Sequence, residues 1–219
     1  MLTNRREFIE RLSAVAVLGA IPVTTGAPVH SSAGLPQGSD WDLAWVGKLK
    51  GVAHKAIFDC TEVESGYGVW RASIWEAQYQ STLAVKPADL RTVLILRHNG
   101  VALALKQELW DKFAIGKDEN VKHPLTEQPT DRNPALITDG IPPIAGDLTK
   151  FMAHGGIVLA CNLALQKYVG MFQAQDRVDA AEAQKRATAG LVPGIILQPS
   201  GVFSAVRAGE AGCVYVKAS

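Results

Sequence analysis

The most reactive side chain available to this chain is a thiol at an unusual place. In GGIVLACNLALQKYVG, residues 155–170, a β-branched apolar run from Ile157 to Ala160 gives way at Cys161 to Asn-Leu-Ala-Leu, the opening of a helix. A cysteine there is either a small apolar filler or a thiolate stabilised by a helix N-terminus and made nucleophilic. The segment RTVLILRHNG (91–100) ends on the other chemically able group, with Arg97, His98, Asn99 and Gly100 following a continuous apolar stretch. A histidine there orients or protonates groups at a nearby thiol, or bonds to backbone at the strand exit. Arg97 matches planar and tetrahedral oxyanions, or forms a surface ion pair. Asn99 and Asn162 donate to the same anion or serve turns. Cys60 closes HKAIFDCT (54–61) as a resolving thiol or a structural one, and Cys213 opens a later strand, where packing is its expected use.

These groups come together only if the elements carrying them are strands of one sheet. A lead-in helix with Trp41 and Trp45 on one face is expected within 34–50. Strands are expected at 54–61 and 91–96, helices at 69–85 and 102–113, and a helix–strand–helix run at 147–153, 157–161 and 163–174. A polar helix at 176–189, a strand with its exit turn at 190–201, a helix at 202–212 and a strand at 213–218 close the chain. Residues 117–145 contain five prolines in KDENVKHPLTEQPTDRNPALITDGIPPI and read as a long surface insertion rather than a packed element. The alternation of strand and helix, with unbroken apolar strand cores, gives an α/β sheet covered on both faces. Function in such sheets lies beyond the carboxyl ends of the strands. That rim carries Cys60-Thr61, Arg97 to Gly100, Cys161-Asn162 and Pro199-Ser200-Gly201, and Cys213 belongs at the opposite end.

Composition excludes several classes. The 219 residues are 47% hydrophobic and 20% charged, with a net charge of +1, so no basic surface for nucleic acid or membrane is indicated. Three cysteines without CxxC or CxxCH spacing exclude a cysteine scaffold. No His/carboxylate cluster argues for a metal, and only His98 with Cys161 leaves a copper or haem site conceivable. Ser200 lacks a nucleophile elbow and is expected to cap the last helix. Trp70, Trp75 and Trp110 fall at helical spacing, as core or subunit-interface residues.

The first residues read differently. TNRREFIERLSAVAVLGAIPVTTGA pairs Arg5-Arg6 with a modest apolar stretch too short and too interrupted to span a bilayer. It resembles a twin-arginine export signal, with small residues for cleavage at Ser31-Ser32-Ala33. The expected organisation is a signal at 1–33, a linker and lead-in helix at 34–53, and one α/β domain at 54–219 with its insertion at 117–145. Removing residues 1–33 takes three arginines and two glutamates and leaves a formally neutral remainder. The destination is the periplasm, reached through the twin-arginine translocase.

The ordered pieces IFDC, VLILRHNGVALAL, NPALI, GGIVLACNLAL and LVPGIILQPSGVFSAVRAGEAGCVYVKA together resemble the DsrE-like sulfur-relay superfamily (the DsrE, DsrF and TusD kind), and most closely its secreted branch with twin-arginine signals. The likeness runs over roughly residues 52–218. It implies a three-layer α/β/α sandwich with a mostly parallel five-stranded sheet, the second strand lying between the first and third. Two strand spacings of about 4.8 Å then separate Cys60 from Cys161 by about 9.6 Å, beyond the roughly 7 Å that a disulfide tolerates, so free thiols are expected. The resemblance further implies that Cys161 holds sulfane sulfur as a persulfide; on the reading of the residues themselves His98 assists it, Arg97, Asn99 and Asn162 attend the substrate with Cys60 as a second thiol, and no cofactor is called for. The implied partners are a small sulfur-containing anion or a sulfur-relay protein. Relatives form trimers or hexamers, for which apolar faces such as Leu103/Trp110 are available. The export signal, the proline-rich insertion and the RHNG turn depart from the cytoplasmic relatives. The alternative is a non-catalytic protein that binds a ligand, metal or partner on the same scaffold.

Overall fold

The computed structural model describes residues 41–137 and 147–219. The expected signal at 1–33, residues 34–40 of the linker and the tail of the insertion lie outside these residues.

Five strands form one all-parallel sheet: β1 (His54–Cys60), β2 (Leu90–Leu96), β3 (Ile157–Cys161), β4 (Ile196–Gln198) and β5 (Val214–Lys217), in the order β4-β3-β2-β1-β5. The second strand therefore does lie between the first and third. The helices are α1 (Ala44–Gly47), α2 (Tyr67–Leu83), α3 (Gln107–Lys112), α4 (Ile115–Asp118), α5 (Leu148–Ala153), α6 (Asn162–Asp176), α7 (Ala180–Ala189) and α8 (Gly201–Glu210). The result is the expected α/β/α sandwich.

Side chains alternate across the pleat, and the two faces bury different partners. Phe58, Cys60, Leu94, Leu96, Val158 and Ala160 join a large core with residues of α2, α3, α5, α6 and α7. Ile57, Val93, Ile95, Ile157 and Leu159 meet Trp45, Leu49 and Ala208 in a smaller core beneath α8. Trp45 is fully buried and its indole donates to Gln198 Oε1 at 3.2 Å, tying the lead-in segment to β4.

Three expectations need correction. Residues 102–113 are not one helix: His98–Ala104 is a 3-10 helix and only Gln107–Lys112 is α-helical. Val101 to Leu105 are all buried, with no polar face to present to water, and this run is held by a bridge from Leu105 to Leu191 and by Val192 N–H donating to Ala104 O. Within 190–201 only Ile196–Gln198 is strand, because Gly194 turns the chain at φ +93°. The insertion, finally, is mostly exposed over 117–132, as expected, but its 133–137 stretch is packed. Val121, Ala135 and Ile137 are buried, α4 runs into its first two residues, and Asn133 is fully enclosed. Asn133 Nδ2 donates to Leu103 O and Leu105 O at 3.0 and 2.7 Å, and its Oδ1 accepts from Ala135 N–H at 2.9 Å. One amide thus satisfies backbone groups that the 98–105 run would otherwise bury unpaired.

Candidate functional site

The strand carboxyl ends form the expected rim, and the register divides it. Cys60 pairs with Leu96 and belongs to the α2 face, whereas Cys161, two residues beyond Leu159, turns by alternation toward the α8 face. The two sulfurs therefore leave opposite sides of the sheet, and all three cysteines are free.

Cys161 serves as the N-cap of α6. Its backbone is extended (φ −79°, ψ 114°) and its Sγ accepts the Ala164 N–H at 3.4 Å, one of the helix donors that no upstream carbonyl reaches. The residue is 6% exposed. Asn162 is buried beside it, its Oδ1 accepting from Gln184 Nε2 at 3.2 Å and from Gln166 Nε2 at 3.4 Å. Asn162, Gln184 and Thr188 line a cleft of about 590 Å³ along β4, together with Trp41, Asp42 and the 191–197 segment. The thiol itself is not on its wall.

The RHNG turn leans the other way, toward β1. Arg97 N–H donates to Cys60 O at 3.1 Å and Gly100 N–H to Thr61 O at 2.9 Å. A Cβ on Gly100 would come within 2.5 Å of Cys60 O, so only glycine permits this approach. His98, at φ +52°, is exposed and sets its Nδ1 3.4 Å from Glu62 Oε1, while Asn99 Nδ2 donates to Glu62 Oε2 at 2.9 Å. Among the described residues no hydrogen bond joins the His98 ring to Cys161.

Arg97 is the rim residue set beside Cys161. Each lies one residue past the last β2–β3 pair, Leu96–Ala160. Its guanidinium is held on the α8 side: Nε and Nη2 bind Asp59 Oδ1 and Oδ2 at 2.7 and 2.8 Å, and its stem fills the space a Cβ on Gly201 would occupy. Tyr215 hydroxyl donates to the same carboxylate at 2.6 Å. Those bonds to Asp59 raise the Arg97 pKa further above its ordinary value. Two of its three nitrogens are thus spent on a structural acid rather than held out to an anion.

Cys60 is fully buried, donating to Glu62 O at 3.2 Å, and desolvation pushes its thiol up to about 12. Its sulfur occupies the gap left by Gly68 on α2, where a Cβ would sit 2.4 Å away. A thiol so situated is a core residue. Ser200 caps α8, its Oγ accepting the Phe203 N–H at 3.0 Å. Leu103 and Trp110 are both fully buried within the chain, with the Trp110 indole bonded to Ala102 O, so neither offers a face for subunit contact. The exposed apolar residues near the β5 edge are Val202, Val206, Val214 and Tyr215.

Sequence reading missed Asp59, Glu62, Gln198 and Ser219. Ser219 Oγ accepts from Thr61 N–H and Glu62 N–H at 2.7 and 2.9 Å, closing the β1 exit. The available signal was polarity in the wrong place: an aspartate inside IFDC and a glutamine ending IILQ both demand buried partners. Among the described residues, no group of three or more His, Cys, Asp or Glu is placed to hold a metal, and no helix is long and apolar enough to cross a membrane. Comparison with protein-family models, with curated proteins and with solved structures finds no match for the chain.

Proposed function

We propose that this chain is a DsrE-like sulfur-handling protein, exported to the periplasm through the twin-arginine translocase, that carries sulfane sulfur as a persulfide on Cys161. The observation that supports this reading is the placement of Cys161 Sγ at the N-terminus of the fifteen-residue helix α6, accepting the Ala164 N–H. Helix N-termini favour negative charge, and a thiolate there is both stabilised and nucleophilic. With thiosulfate as donor, the Cys161 thiolate attacks the sulfane sulfur, the S–S bond of thiosulfate breaks, and sulfite departs with the electron pair. The product, Cys161–S–S⁻, passes its outer sulfur to an acceptor thiolate and regenerates Cys161. Arg97 Nη1, the guanidinium nitrogen not bonded to Asp59, is the donor left to meet the anion. His98, whose Nδ1 lies 3.4 Å from Glu62 Oε1, is assigned no step in this scheme.

The test is intact mass after incubating the full chain with thiosulfate or polysulfide. A gain of sulfur atoms that disappears in Cys161→Ser supports the reading. Cys60 is sealed but Cys213 is only half-buried, so the adduct is placed by peptide mass: sulfur found on Cys213 alone, or no sulfur at all, overturns it. The 6% exposure of Cys161 favours a second reading, a non-catalytic protein binding a ligand, metal or partner, which expects no adduct at all. A trimeric or hexameric assembly accompanies the first reading, and a monomer by sedimentation contradicts it.

A further inference from the structure

At the other end of the sheet, where β2 and β3 begin, a pocket of about 430 Å³ lies between the lead-in segment and the start of β3. Its wall carries two cations, Arg91 and Lys48, and no aspartate or glutamate, while Met152, Ile157 and Ile196 supply apolar surface. The volume is one that small organic ligands occupy.

Arg91 is the unusual member. A half-buried guanidinium brings a fork of N–H donors that burial obliges it to satisfy. Among the described residues it makes a single hydrogen bond, from Nη1 to Gly155 O at 3.2 Å. Gly155, at φ +95°, makes room for that contact, since a Cβ there would sit 2.5 Å from Nη1. Nε is sealed from solvent without a partner, the only side-chain nitrogen or oxygen so placed among the described residues. Nη2 has no partner either but is not sealed, so it opens to the pocket that Arg91 lines.

Neither cation is neutralised. Among the described residues Arg91 and Lys48 form no ion pair, and Asp89, two residues ahead of Arg91, is not bonded to it. Glu76 meets the Arg91 charge only from a distance. Its Oε1 accepts the hydroxyl of Thr92, a fully buried residue of β2, and that hydroxyl accepts the Trp75 indole N–H at 2.8 Å. Desolvation holds the Glu76 pKa up, against the opposing pull of Thr92, Arg91 and His154. The pocket therefore keeps its positive charge, and its open donor has no acceptor within the chain.

We propose that this pocket binds a small phosphate monoester, its phosphate on Arg91 and its organic group against Met152, Ile157 and Ile196. Arg91 offers the planar fork that suits phosphate oxygens, and Lys48, on a flexible stem at the same wall, supplies a second charge. A phosphate monoester carries about −1.5 to −2 charges at pH 7 and so answers both cations, where a carboxylate answers one. The site lies at the strand starts, apart from Cys161 at the strand ends, and does not rest on the sulfur chemistry.

Titration of the isotope-labelled full chain with butyl phosphate, followed by backbone amide shifts, tests this. The expected result is saturable shifts confined to the start of β2, residues 152–158 and residues 194–196. Affinity should fall at least tenfold in Arg91→Met, which keeps the stem and loses the fork, and at least threefold in Lys48→Ala, which is on the surface and leaves the fold intact. Inorganic phosphate, without the apolar group, and pentanoate, with a similar chain and a single charge, should each bind at least fivefold more weakly than butyl phosphate. Shifts absent from the pocket or gathered instead around Arg97, unchanged affinity in Lys48→Ala, or either control binding as tightly as butyl phosphate would each overturn the proposal.

Discussion

Arg97 clasps Asp59 through two parallel hydrogen bonds, of 2.7 and 2.8 Å, joining β2 to β1 at the carboxyl edge of the sheet. Asp59 is almost wholly buried and Arg97 about one-third exposed, and Tyr215 from β5 adds a third bond to the same acid. Three neighbouring strands are thereby pinned at one carboxylate. Replacing Asp59 with alanine leaves a partly desolvated guanidinium and an idle phenol, at a cost of about 3 kcal/mol. Tyr215→Phe removes one exposed-side bond and costs about 1 kcal/mol. Urea unfolding with an unchanged slope measures both, and a loss below 1 kcal/mol in Asp59→Ala would show that the clasp contributes little.

The three thiols should react in a definite order. Cys213 is half-buried, with burial raising its pKa and Lys55 opposing the rise, so it is the first to meet a reagent in the folded protein. Cys161 follows, slowed by its enclosure. Cys60, with its thiol pushed up to about 12, holds a thiolate fraction on the order of 10⁻⁴ at pH 8. Timed alkylation at pH 8 followed by peptide mass should find Cys60 unmodified until the chain unfolds. Early labelling of Cys60 in folded protein is the contrary result.

Glu76 makes stability depend on pH with a sign opposite to the usual acid. Its native pKa is raised, so between the ordinary value of 4.5 and that raised value the folded state binds more protons than the unfolded one. Its contribution is intact below 4.5 and is lost as pH climbs through the native pKa. Asp176, lowered by its bonds to Lys112 and Arg186, acts in the reverse sense, and its contribution is lost on acidification. Urea midpoints across pH 4.5 to 7.5 should fall less steeply in Glu76→Gln than in the parent chain; parallel curves would show that the Glu76 carboxyl is not perturbed.

Asn133 holds the proline-rich insertion to the body of the domain. Asn133→Ala leaves Leu103 O and Leu105 O without their donor and frees the Ala135 N–H, a loss of about 2–3 kcal/mol. The same substitution should expose residues 117–137 to limited proteolysis before the rest of the domain. Equal protease resistance in the two proteins would show that the insertion is held by its apolar contacts alone.

Much of this architecture is written locally. The apolar runs of β1, β2 and β3 can be satisfied only by a sheet covered on both faces, and the cap at Ser200 announces its helix because a side-chain oxygen must meet the first free N–H groups. The rim residues Cys60, Arg97, His98, Cys161 and Asn162 follow from those strand ends. What the chain could not declare locally was which rim residues meet. A one-residue step in alternation sends Cys60 and Cys161 to opposite faces, and the contact of Gly100 with the Cys60 carbonyl pulls His98 toward Glu62. The Asp59–Arg97–Tyr215 clasp and the Trp75–Thr92–Glu76 chain join residues 16 to 156 positions apart. Local propensity governs neighbours three or four residues away; partners so distant are chosen only when strand order and register bring their buried polar groups within reach of one another.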